Sequence, residues 1–135
     1  MAYAITTTVP RPFAAVLDQT RKALVESGFG VLTEIDIQQT LKTKLDVDVP
    51  AQIILGACRP PLAYAALQAE PSIGLLLPCN VVVRELNSTT TTVEAVDPQM
   101  MVGVTGNHRL AEIASDAATR LRQALDTLDL GPAGA

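Results

Sequence analysis

The sequence predicts an α+β domain of two layers, with one mixed or largely antiparallel sheet and helices mainly on one face of it. Strand and helix patterns are comparable in number and follow the order β-α-β-α-β-α-β-β-α. The last two strand patterns flank Asn87-Ser88, a pair typical of an antiparallel hairpin because Asn tolerates the positive φ of a tight turn. The length of 135 residues and the 48% hydrophobic content suit one domain with one core.

In the first half of the chain, strand and helix patterns alternate and are separated by turn residues. Residues 3–9 are a Thr- and Val-rich strand pattern, and residues 12–27 carry apolar side chains at helical spacing. Residues 30–35 predict a second strand, after which Asp36 can cap a short helix. Residues 51–57, AQIILGA, are a continuous apolar run, which predicts a buried central strand.

The second half contains one short helix, the hairpin and the longest helix. Pro61 fits the first turn of a helix that runs to about residue 70. Residues 81–86 and 89–96 are the two strands of the hairpin. Asn107 can cap a final helix whose apolar stripe extends to Leu128. We therefore expect one domain over residues 1–130, followed by a flexible tail, GPAGA, over residues 131–135.

Composition argues against two classes of partner. The net charge of -4, with aromatic residues at 3% and no basic patch, predicts no nucleic-acid binding. The most apolar stretch, Ile73–Val83, is too short to span a membrane. The N-terminal sequence lacks the features of a signal peptide, so we expect a cytoplasmic protein whose two cysteines are thiols.

The strand over residues 81–86 predicts self-association. Val81 and Val83 lie on one face of this strand, and Val82 and Leu86 lie on the other. A single layer of helices covers only one face of a sheet, so the second apolar face needs another cover. A homodimer is the expected solution.

The central segment resembles a known family. The run ILGACRPPLAYAALQAEPSIGLLLPCNVVV, with TLKTKLDVDVP before it and VDP after it, is similar to the bacterial family called domain of unknown function 302. The resemblance is close over about residues 28–102, and a GAC-x-P turn followed by GLLLPCNVVV is a specific signature. It implies a compact α+β domain that forms dimers, and it implies no established reaction.

Four residues are candidates for a ligand site: Cys58, Arg59, Cys79 and Asn80. Cys58 lies where a predicted strand ends and a helix begins, so free backbone N–H groups, the helix dipole and Arg59 favour a thiolate or a bound anion there. Pro60 and Pro61 have no backbone N–H group to donate, but the N–H groups of Leu62 and Ala63 can still donate to a ligand. The alternative is that Cys58 is a small buried residue in a tightly packed turn, which is the more common situation for a free cysteine.

Strand direction decides whether the two thiols share a site. If residues 51–58 and 81–86 are parallel neighbours, Cys58 and Cys79 are about 20 Å apart. If the strands are antiparallel, or if residues 73–77 carry the chain back to the same edge, both cysteines lie at that edge, and only then is a shared copper(I) or zinc site possible. Met100, Met101 and His108 are the other soft or borderline donors, but their spacing matches no zinc motif and the metal and cofactor remain unknown.

No residue is predicted to be catalytic. The only histidine lies 50 positions from Cys58 in the sequence, and the carboxylates are dispersed. The sequence thus favours a non-catalytic homodimer that binds a small ligand or a protein partner near Cys58 and Cys79-Asn80. The alternative is thiol-based copper or zinc binding, or redox sensing, through the two cysteines.

Overall fold

The computed structural model describes residues 3–129 and confirms the two-layer α+β prediction. Within these residues, five strands form one sheet: β1 Ala4–Val9, β2 Gly30–Asp36, β3 Gln52–Cys58, β4 Cys79–Asn87 and β5 Thr90–Val96. The same residues contain five α-helices: α1 Phe13–Glu26, α2 Ile37–Leu45, α3 Pro60–Ala69, α4 Met100–Thr105 and α5 Ala111–Leu128. Short 3-10 segments cover Pro71–Leu76 and His108–Leu110. The predicted tail lies outside the described residues.

The sheet is antiparallel at every one of its pairings, in the order β1-β5-β4-β3-β2. β4 occupies the centre, and β3 lies between β4 and β2. β3 is therefore an interior strand, as its continuous apolar sequence predicts. In its register with β4, Leu55 faces Val81 and Ala57 faces Cys79.

One face of the sheet is covered by α1 and α5, and the main core lies between these layers. From the sheet come buried side chains that alternate along the strands, such as Leu55, Val81 and Val93. From the helices come buried residues at helical spacing, such as Leu24 and Leu121. A second cluster, centred on Ala66, Ile73, Met101, Leu110 and Ala114, joins α3, α4 and α5 beside the main core.

The C-terminal end of α1 depends on the backbone conformation of Gly28. Gly28 has a φ of 93°, which glycine adopts without a steric penalty. The N–H of Phe29 donates to the Leu24 carbonyl at 2.9 Å, and that of Gly28 donates to the Val25 carbonyl at 3.0 Å. This is the Schellman arrangement of helix ends. It turns the chain inward and buries the Phe29 ring.

Three local details differ from the sequence predictions. α3 starts at Pro60, one residue early, because both prolines fit the first helical turn, where their missing N–H groups have no intrahelical partner in any case. Asn107 accepts from the Arg109 N–H, so it caps the short 3-10 turn that precedes α5 rather than α5 itself. Asn87 forms the hairpin by accepting from the Thr89 N–H at 3.0 Å, and not by adopting a positive φ.

The other face of the sheet, here called the open face, carries no helix from the main core. Ile54 and Val82 lie half-buried on it, and Ile35, opposite Ile54 in the register, is 47% exposed. Arg84 and Glu94 form an ion pair at 2.8 Å on the same face. Among residues 3–129, no helix is both long enough and apolar enough to cross a bilayer.

Gly56 is required where β3 passes Pro78. A Cβ at this position would collide with the Thr33 hydroxyl and lie 2.9 Å from Pro78 Cγ. We predict that Gly56→Ala lowers the free energy of unfolding by about 1–3 kcal/mol, since the proline ring cannot rotate away. Chemical denaturation measures this change.

Gly103→Ala is the matched control, because a Cβ there meets nothing within 4 Å and the residue lies inside α4. This variant should equal the wild type or gain up to about 1 kcal/mol. Equal stability of Gly56→Ala and the wild type would show that the contact with Pro78 imposes no constraint.

Candidate functional site

The antiparallel register brings the two cysteines to one end of the β3–β4 pair. Cys79 of β4 pairs with Ala57 of β3, and Cys58 is the residue that follows Ala57. From standard strand spacing and rise, their Cα atoms are about 6 Å apart. The parallel arrangement, which would separate the cysteines widely, is therefore wrong for this chain.

Cys58 and Cys79 both line one small cleft between the end of the sheet and the helical layer. Because Cys79 pairs with Ala57, the side chain of the next residue, Cys58, starts from the opposite face of the sheet. Cys58 ends β3, while Cys79 follows the cis Leu77–Pro78 peptide bond and begins β4. The other walls come mainly from α3, α4, α5 and the turn after α1: Phe29, Arg59, Leu62, Met101, Ile113 and Ala117. We call this space the thiol cleft. Its cavity volume is about 30 Å³, enough for roughly one or two water molecules.

The two thiols differ in environment. Cys58 is half-buried and Cys79 is buried. Burial raises the pKa of the Cys79 thiol to about 11, and the neighbouring Cys58 adds to this effect by charge repulsion. Cys79 is therefore a neutral thiol at physiological pH, which argues against its use as an unassisted nucleophile.

Arg59, which lines the cleft, has one structural contact and one donor without a partner. Its Nη1 donates to the Gly28 carbonyl at 3.4 Å, at the C-terminal end of α1, where positive charge is favourable. Its Nε is buried and has no hydrogen-bond partner. A buried donor without an acceptor costs about 1–3 kcal/mol, so a ligand that accepts from Nε would remove this cost.

The start of α3 is not a free anion site. The N–H groups of Leu62 and Ala63 both donate to the Arg59 carbonyl at 3.0 Å. The prediction that these groups are available to a ligand is therefore wrong. What remains at this turn is the thiol of Cys58 and the side chain of Arg59.

Of the four predicted site residues, the structure places Cys58, Arg59 and Cys79 in the thiol cleft and Asn80 outside it. Asn80 is exposed. Side chains of successive strand residues point to opposite faces, so Asn80, between the buried Cys79 and Val81, points to the open face. Phe29 and Ile113 also line the cleft but were not predicted to do so. Ile113 belongs to the apolar stripe of the last helix, and nothing in that stripe shows which of its members end beside a cysteine.

Met101 is the third sulfur in the cleft. The segment after Asp97-Pro98 has no clear strand or helix period, but it forms α4 and buries Met101. Met100 does not line the cleft, and His108 is exposed. Within residues 3–129, no group of three or more His, Cys, Asp or Glu side chains is arranged to hold a metal ion.

Comparison with known proteins agrees with this architecture. The family model for domain of unknown function DUF302 matches residues 5–128. The chain belongs to the DUF302 family. A crystal structure of an uncharacterized conserved DUF302 protein from Bacillus stearothermophilus superposes on this DUF302 domain with a TM-score of 0.85 and 31% sequence identity. The similarity covers 93% of this chain and 98% of the other. No curated protein matches the sequence.

The difference between the thiols predicts ordered alkylation. With iodoacetamide at pH 8, Cys58 should react first and Cys79 should react slowly. The reagent reacts with the thiolate, and the raised pKa of the buried Cys79 leaves little thiolate at this pH. The rate at Cys79 should rise with pH until about pH 11, where its thiol ionises. Peptide mass spectrometry of samples quenched over time measures both rates.

The Cys58→Ser and Cys79→Ser variants are the matched controls, since each leaves one thiol to be followed alone. Removing Cys58 should also accelerate Cys79 modestly at high pH, because its charge repulsion is lost. Equal rates at the two cysteines in the folded wild type would contradict the difference in burial.

Proposed function

We propose that this DUF302 domain is a non-catalytic binding protein and that its ligand occupies the thiol cleft. The observation that carries the proposal is a cavity lined by two free cysteines and by Arg59, an arginine whose buried Nε–H has no hydrogen-bond partner. Packing alone does not require this combination, because small apolar side chains would fill the same space without a buried polar cost.

The size of the cleft favours a small ligand over a protein segment. A cavity volume of about 30 Å³ is far below the hundreds of Å³ typical of sites for drug-sized molecules. The walls are largely aliphatic, so an entering group would interact mainly with sulfur and with Arg59. Free thiols also fit a reducing compartment, which supports a cytoplasmic location as part of the proposal.

A thiol-based role is the second candidate function, because the antiparallel register puts the Cα atoms of Cys58 and Cys79 at the same end of the β3–β4 pair. Binding of one soft metal ion, or a disulfide in redox sensing, needs the two sulfur atoms within reach of one another. Cys79 pairs with Ala57, so the Cys58 side chain starts from the opposite face of the sheet and would have to turn round the end of β3 to meet the Cys79 thiol.

The open face supports a homodimer as the second part of the proposal. Its half-buried Ile54 and Val82 and its exposed Ile35 form an apolar centre beside the Arg84–Glu94 ion pair. Opposite charges on one face suit a twofold contact between identical copies. In addition, α2 has no buried side chain and exposes Leu45, as expected of a helix whose packing partner lies on another chain.

Native mass spectrometry of the protein purified from its own cells tests both parts together. The wild type should have the mass of two chains of 14.2 kDa each plus a retained ligand. Ala63→Leu, which places a larger side chain in the cleft wall, should give a dimer without the added mass. Ile35→Asp should keep the ligand and weaken the dimer by at least about 100-fold, because each copy loses one buried side chain.

Val25→Asp is the control for the dimer contact, since Val25 is 63% exposed on the helical layer and should leave the mass of the assembly unchanged. A wild-type protein without added mass would overturn ligand binding. Single wild-type chains at micromolar concentration would overturn the homodimer. Retention of the ligand by Ala63→Leu would place the binding site elsewhere.

A further inference from the structure

We infer that the apolar part of the open face is covered by helix α2 of a second copy, and that each of the two copies gives one such helix and receives one. This inference rests on the proposed homodimer, because it names the contact that holds that dimer together. Three properties of the chain lead to it: a segment without internal packing, a patch one helix wide, and a connection that keeps the helix off its own sheet.

The segment over residues 32–48 contains the end of β2, α2 and the turn after it, and we call it the arm. None of its side chains is buried. Ile37, Leu41 and Leu45 recur at four-residue spacing and form one apolar stripe on α2, and Leu45 is 66% exposed. A helix of nine residues is marginal without packing, so this stripe needs a partner surface.

Polar groups of the arm already have partners within it. Asp36 accepts from the Gln39 N–H at 2.9 Å and caps the start of α2. Lys42 lies 2.9 Å from Asp46 and 3.3 Å from Asp48. Because these charges are paired with one another, the arm offers no strong field to attract a charged partner. What it lacks is a cover for its apolar stripe.

The open face carries an apolar patch of matching width. Ile35, Ile54 and Val82 pair in the register across β2, β3 and β4. The two outer strands of these three are about 10 Å apart, which is close to the diameter of one α-helix with its side chains. One helix laid along the strands therefore covers the patch.

The rest of the open face is polar. β1 and β5 contribute Thr6, Thr8 and Glu94 to it. A second sheet laid over the whole face would bury these hydroxyl and carboxylate groups, which is costly unless each finds a hydrogen bond. A single helix over the apolar patch leaves them in water.

The chain cannot cover this patch with its own arm. β2 ends at Asp36 and α2 begins at Ile37, so no residue separates the strand from the helix. Ile35 is 47% exposed within one chain, like the exposed Leu45 of the arm, which shows that the two apolar surfaces do not meet there. A second copy brings the same arm from outside. A twofold arrangement then covers both patches and both stripes, and it leaves no free surface to recruit further copies.

Among the helices of residues 3–129, α2 is also the one without a buried side chain. The other four helices already pack against the main core or the second cluster. The helix that needs a partner and the patch that needs a helix are thus both present in one sequence, which favours a second copy over a different protein.

Sedimentation equilibrium of the full chain and matched variants tests the inference. Leu45→Lys should weaken the dimer by at least about 100-fold, because two leucine side chains lose their cover in each dimer. Thr43→Lys is the control, since it adds the same charge to the last turn of α2 on the side away from the stripe. This control should dimerise as the wild type does, and circular dichroism should show equal helix content in all three proteins.

A mixture of two variants distinguishes this contact from other dimer contacts. Ile35→Asp keeps an intact arm and loses the patch, whereas Leu45→Lys keeps an intact patch and loses the arm. In a mixed dimer, one intact arm lies on one intact patch, and at the other contact the introduced lysine lies near the introduced aspartate. The mixture should therefore dimerise at least about 10-fold more tightly than either variant alone. Native mass spectrometry should identify the mixed dimer, because the two variants differ in mass.

The outcomes separate this inference from the proposed homodimer. If Ile35→Asp is monomeric but Leu45→Lys dimerises like the wild type, the open face forms the dimer without the arm, so the inference fails and the homodimer stands. An equal loss of dimer in Thr43→Lys and Leu45→Lys, or no gain on mixing, would also overturn the inference. Single wild-type chains at micromolar concentration would overturn both.

Discussion

The register of β3 against β4 is the constraint on which the rest of the structure depends. Ala57 faces Cys79 and Leu55 faces Val81, so the buried residues of both strands point to the helical layer together. A slip of one residue would turn Val81, Val83 and Cys79 to the opposite face. The burial of these side chains therefore fixes the register, and the register in turn fixes where the thiols lie. The site is a direct consequence of how the core is packed.

The thiol cleft keeps features that packing does not explain. Cys79 is buried with a raised pKa, and Arg59 has a buried N–H without an acceptor. The unpaired donor lowers the stability of the empty protein relative to one in which a bound group accepts from Arg59. Arg59 also donates to the end of α1 at the Gly28 carbonyl, and this turn places Phe29 in the cleft wall. The site is thus tied to both layers of the fold.

Much of the fold follows from sequence patterns, and the reasons are local. The stripe from Val16 to Leu24 and the continuous apolar run of β3 indicate their elements without tertiary information. The site is less predictable, because it depends on which strands pair and in which direction. Cys58 and Cys79 stand out in the sequence by type, but only the antiparallel pairing brings them together. Met101 reaches the cleft from a short helix after Asp97-Pro98, where the sequence has no clear hydrophobic periodicity. Asn80 lies outside the cleft because successive side chains of β4 point to opposite faces of the sheet.

The central proposal is that Cys58 and Cys79 contribute to one site at the end of the β3–β4 pair, which requires the Cys58 thiol to turn round the strand end towards Cys79. A reagent that bridges two thiols tests this proposal most directly. Phenylarsine oxide binds two neighbouring thiols through one arsenic atom. Prolonged incubation with the reduced native protein, followed by mass spectrometry and thiol counting, should find one arsenic per chain and the loss of both thiols at the same rate. Loss of one thiol while the other remains free for alkylation after unfolding would show that the two sulfur atoms do not share a site, and would contradict the account.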